Sequence, residues 1–192
     1  MSEHAALIAP AAAEFAGILR GIGESDLSAR TPCAEYDVRA LLNHLLYWGP
    51  WLEAAGRKAA PPEVSSGEAE ADLVGDGWLA DIEKQTARLV DVFGTPEAWQ
   101  GQTTFGDPMP ASMAGYMVLD EFVFHGWDLA RATGAEFSVL PEVADAVYAI
   151  ALEIGDQARA MKVYGEEVAV ADDATTFERA LGATGRNPGW TP

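Results

Sequence analysis

Residues 113–130 read MAGYMVLDEFVFHGWDLA, an almost wholly apolar stretch that also carries Glu121, His125 and Asp128. A run of this length with helical periodicity predicts a helix buried on most sides. Glu121 and His125 are four residues apart and share one helix face. Asp128 falls on the same face one turn further on, so the three span about 60° of arc at roughly 100° per residue. Carboxylates among apolar neighbours are costly unless a partner neutralises them. A divalent metal is one such partner. A plain Glu–His ion pair accounts for the same spacing.

The rest of the chain reads as helices with polar breaks. Residues 5–21 have helical spacing with Leu7, Ile8, Phe15, Ile18, Leu19 and Ile22 inward. Asp37 is an N-cap for a second helix whose stripe is Val38, Leu41, Leu42, Leu45 and Leu46. Pro50 has no N–H to donate, so a break or kink is expected near Gly49. Residues 58–72, rich in Ala, Pro, Ser and Glu, read as a surface crossover loop. Residues 77–93 form a third helix. Residues 98–110 hold Gln, Thr, Gly and Pro and predict a short hairpin or extended segment, with Trp99 and Phe105 suited equally to a lid or to a loop pinned to the core. The fourth helix is 111–133, closed by Gly134. Residues 141–157 open on proline and form a fifth. A strand-like segment at 167–170 and a short helix at 175–181 complete the tail. Four main helices with one long connection predict a helix bundle, in which metal sites are built from inward side chains on facing helices.

The chain has three histidines. His44 lies in the second helix, next to or on its apolar face. Two histidines and a carboxylate from two helices make a divalent-metal site with open positions, suited to Zn, Ni, Fe or Mn. His44 on its own also fits a core histidine bonded to a carbonyl. Asp128 is a fourth ligand, an acceptor that orients His125, or, as the preferred account, a surface acid paired with Arg131. Cys33 reads as a structural loop residue. Trp48, Trp51, Tyr47 and Tyr116 suit either an apolar pocket over the site or plain core. His4 is expected to be solvated. Close helix packing or ligand access would explain Gly126. Arg30 and Arg57 are the loop cations available to an anionic cosubstrate group.

The composition bounds the partners. Thirty acidic residues against 12 basic give a net charge of −18, which disfavours nucleic acid and anionic membranes. The lone Cys33 excludes an intramolecular disulfide and fits a reducing cytosol. The N-terminus lacks the basic region of a signal peptide, and no apolar run reaches the roughly 18 residues of a spanning helix. A soluble, cytoplasmic protein is expected, with residues 1–192 as one domain.

Residues 31–45, TPCAEYDVRALLNHL, resemble the first motif of the mycothiol-dependent maleylpyruvate isomerase N-terminal family, within the DinB-like superfamily. Residues 121–134, EFVFHGWDLARATG, resemble its second motif. Residues 168–190, VAVADDATTFERALGATGRNPGW, resemble the close of an uncharacterised subgroup. The resemblance implies an all-α DinB-like four-helix bundle with a long crossover after the second helix. It also implies a divalent metal, zinc with nickel as the alternative, on His44, Glu121 and His125. The implied function is a thiol-dependent transferase or isomerase, using a mycothiol-type thiol made nucleophilic by the metal against a small electrophile. The alternative is a non-catalytic metal-binding module or sensor. No protein base is required, so no catalytic side chain is assigned. A homodimer is compatible with this reading.

Overall fold

A computed structural model describes residues 3–192. A short 3-10 turn at Glu3–Leu7 leads into α1, Ile8–Gly21. Next come α2, Val38–Gly56, and α3, Trp78–Phe93. Strands β1, Gln102–Phe105, and β2, Asp107–Pro110, form an antiparallel hairpin. A long rod follows: α4, Ala111–Asp120, passes through a π-helical turn, Glu121–His125, into α5, Gly126–Thr133. The chain closes with α6, Pro141–Ala160, and α7, Thr176–Ala183. This is the all-α bundle the sequence predicts, with the long crossover between α2 and α3 and the hairpin before the rod. One hydrophobic cluster joins side chains from α1 through to Leu181 of α7. Among the described residues no helix is long and apolar enough to cross a membrane.

The ends of the site-bearing helices follow local rules. Asp37 caps α2, its carboxylate accepting the Ala40 N–H at 2.8 Å. Gly134, at φ 72°, ends the rod in the left-handed conformation that costs glycine nothing. Of the break or kink expected near Gly49, the break does not occur: α2 runs through Pro50. A proline inside a helix strands carbonyls in the preceding turn. The carbonyl that loses its helical donor to Pro50 is that of Leu46; buried Gln85 of α3 ties down the neighbouring carbonyl, donating its Nε2 to Leu45 O at 2.6 Å. Gly49 leaves the space that Gln85 needs, since a Cβ there would collide with it.

Two further expectations are corrected. Residues 167–170 form no strand, because no second strand lies alongside; the Val168 N–H is satisfied by the Gly182 carbonyl at 2.9 Å. His4 is not simply solvated. Its ring stacks on Trp99 with centroids 5.6 Å apart and meets the edge of Tyr116.

Candidate metal centre

The rod and α2 bring His44, Glu121 and His125 together. One ligand atom from each falls within a group whose members all lie within 4.8 Å of one another. His44 Nε2 faces Glu121 Oε1 at 3.7 Å, and His125 Nε2 faces Glu121 Oε2 at 3.9 Å. These separations are too long for hydrogen bonds. Glu121 Oε2 is buried with no hydrogen-bond partner. The three side chains are 13–18% exposed, so the group borders solvent without being bathed in it.

The other nitrogen of each imidazole is tied to a carboxylate. His44 Nδ1 bonds Glu68 Oε1 at 2.9 Å. His125 Nδ1 bonds Asp128 Oδ2 at 2.9 Å. With a proton on each Nδ1, both Nε2 lone pairs turn toward Glu121. A carboxylate behind the imidazole is the arrangement that orients metal-binding histidines and raises their basicity. Two imidazoles and a carboxylate facing one point, with an orphaned carboxylate oxygen between them, fit a divalent cation of the zinc or nickel kind.

Electrostatics agree with a cation-seeking centre. Burial works against charge on His44, but Glu121 and Glu68 outweigh it and push its pKa up to about 9. Burial likewise opposes charge on Glu121, yet His44 first, with His125 and Arg186 nearby, holds its carboxyl below the usual range. In the metal-free protein near neutral pH, a proton on His44 does part of the neutralising.

The π turn places the pair. It begins at Glu121 and ends at His125, so the helix is locally widened where both side chains leave it. Such single-turn π insertions recur at functional sites. Gly126 follows, and a Cβ there would lie 2.8 Å from the Phe137 ring and 3.4 Å from Phe15. Close packing therefore accounts for this glycine.

Asp128 corrects the preferred expectation. It is fully buried and bonds His125 and Arg186, while Arg131 turns to the Trp190 carbonyl. The orienting role, the less favoured alternative, is the one the structure displays. Two site residues escaped sequence reasoning. Glu68 sits in the crossover loop and accepts from Tyr36 Oη at 3.1 Å and Trp48 Nε1 at 2.7 Å as well as meeting His44. Asn43 pins that loop, donating to the Glu68 carbonyl and accepting the Leu73 N–H. Arg186, in the tail, was the other. An acid in a loop of acids and an arginine in a polar tail carry no local signal.

The aromatic expectations divide. Trp48 and Trp51 pack with Phe105 of the hairpin, beside the site through the Trp48–Glu68 bond. Tyr116 belongs to the separate Trp99 cluster, and Tyr47 donates to the Ser66 carbonyl. Trp99 is core, its Nε1 donating to the Phe93 carbonyl. Arg57 is engaged by Glu53 and Asp91. Cys33 is half-buried, and burial pushes its thiol up to about 11, which makes it a poor nucleophile.

Residues 8–130 match the family described as the mycothiol maleylpyruvate isomerase N-terminal domain. That span is more than half of the 192 residues, so the chain belongs to this family. Its relatives include the uncharacterised proteins Rv0738 and MT0763 of Mycobacterium tuberculosis. Each is 29% identical over 133 residues, which covers 68% of this chain and 67% of theirs. Among solved structures, a crystal structure of the mycothiol-dependent maleylpyruvate isomerase superposes with a TM-score of 0.68 at 18% identity, covering 97% of this chain and 90% of that one. A histidine-to-alanine mutant of that isomerase gives 0.60 at 20% identity, over 81% and 71%. These likenesses establish the DinB-like fold.

Proposed function

We propose that His44, Glu121 and His125 hold a divalent metal, zinc in preference to nickel. In this reading the protein is a thiol-dependent transferase or isomerase acting on a small electrophile. The observation that carries it is the paired orientation of the imidazoles: both Nε2 atoms face the unpartnered Glu121 carboxylate, and both Nδ1 atoms are held by acids. Family membership supports a mycothiol-type thiol as cosubstrate. When bound, such an ion lowers the pKa of a coordinating thiol and so supplies a thiolate at neutral pH.

The chain's own residues prepare the place. Glu68 and Asp128 keep a proton on each Nδ1 and leave Nε2 free. Glu121 contributes the negative charge that two neutral imidazoles lack. Trp48 and Phe105 supply an apolar wall that restricts water beside the polar group. The low exposure of the three ligands favours a second reading, a closed metal-binding module without catalysis, because closed sites keep no exchangeable position.

Elemental analysis of protein purified without a metal-affinity tag tests the centre. About one zinc or nickel per chain is expected in wild type, lost in His44→Ala. Cobalt substitution then separates the two readings: a thiol that shifts the cobalt spectrum marks an open position, and an unchanged spectrum marks a closed one. A wild-type chain that takes up no metal after reconstitution sinks both.

A further inference from the structure

The family match ends at residue 130, yet a group that touches the centre arrives from the C-terminal tail. Arg186 is 11% exposed, and its guanidinium donates to Asp128 through Nη2 at 2.8 Å and through Nε at 3.0 and 3.2 Å. Nη1 reaches Thr184 Oγ1 at 3.3 Å, and the cation lies 5.2 Å from the centre of the Phe124 ring. Nη2 is 3.5 Å from His125 Nδ1. One Asp128 carboxylate is therefore shared between a fixed cation and the imidazole it orients.

His125 has donors on both sides. Its Nε2 faces Glu121 and the group that includes His44. Its Nδ1 faces Asp128, and Cys33 joins these two in a second close group. Two clusters that share a histidine compete for one ion, and the fold must decide between them. The Cys33 side already contains a cation, because guanidinium does not lose its charge in proteins.

We propose that Arg186 is a positioning residue for the metal centre. By occupying the cationic place beside Asp128, it holds that carboxylate as a fixed acceptor for His125 Nδ1–H and commits Nε2 to the metal. The inference rests on the metal-centre reading and adds that the tail, beyond the matched family segment, sets the centre's affinity. Loss of an outer partner of this kind typically weakens metal binding 10–100-fold.

Zinc affinity, measured by competition with a chromophoric chelator, provides the test, with melting of the chelated proteins alongside. Arg186→Gln is expected to weaken zinc 10–100-fold, and Arg186→Lys, which keeps the charge but not the fork, to recover part of that loss. Arg186→Gln leaves buried Asp128 with His125 alone and without its fixed cation, which costs stability by itself. The paired variant Asp128→Asn with Arg186→Met removes both charges, so it folds without an unpaired ion. It is expected to melt near wild type when chelated and still to bind zinc at least tenfold more weakly. Arg186→Gln that binds zinc with wild-type affinity, or a paired variant that does so, overturns the positioning role and leaves the metal reading intact. A wild-type chain that binds no zinc overturns both.

Discussion

Glu68 concentrates three hydrogen bonds on one loop carboxylate, from Tyr36, His44 and Trp48. Glu68→Ala removes the acceptor behind His44, and metal affinity is expected to fall roughly 10–100-fold with the helical circular dichroism unchanged; chelator competition measures it. His44 also confers a pH dependence on the metal-free protein. Its folded pKa is raised from the ordinary 6.5 to about 9. A raised pKa stabilises the fold fully below the unfolded value, and that stability is lost as pH rises through the folded one. The chelated wild type is therefore expected to lose stability to urea between about pH 6.5 and 9. His44→Gln should flatten that slope, and an unchanged slope would remove His44 as its source.

At the scale of elements, the rod depends on close approach where it carries the site. Gly126 packs under the Phe137 and Phe15 rings. Gly126→Ala is expected to cost about 1–3 kcal/mol through overpacking, despite alanine's better helix propensity; a lower urea midpoint at constant slope would show it. The join of α2 to α3 depends on Gln85, which reaches the Leu45 carbonyl one turn before Pro50. Helix α2 carries His44, so this contact also bears on the height of that imidazole along the bundle.

For the whole molecule, a metal held between α2 and the rod clamps two helices, and binding appears as stability. A site filled at a hundred times its Kd adds about 2.7 kcal/mol. For a chain of this size that corresponds to roughly 5–10 °C in Tm. Added zinc should raise the melting temperature of chelated wild type by that amount and leave His44→Ala unmoved. The side chains around the candidate centre come from four separate stretches: α2, the crossover loop through Glu68, the rod, and the tail through Arg186.

The helices, and the three side chains that the fold brings together as candidate donors, were legible in the sequence because their signals are local. Leu41, Leu42 and Leu45 repeat at helical spacing, Asp37 and Gly134 mark ends, and Glu121 and His125 share a face by their four-residue separation, with the π turn between them left for the structure to show. His44 could be joined to that pair because its helix has its own apolar stripe and the motifs resemble a known family. What only the tertiary structure decided lies where distant segments meet. Pro50 predicts a break or kink from its missing N–H, yet α2 runs on through it, with Gln85, 35 residues on, bonded to the Leu45 carbonyl in the turn before. Asp128 predicts a surface pair with Arg131, and the tail delivers Arg186 to it instead. Glu68 looks like one solvated acid among many until the crossover folds it onto His44. Spacing along a helix is set by backbone geometry, which every residue carries with it. Partnership between buried charges is set by which segments packing brings within 3 Å, and no single stretch of sequence records that.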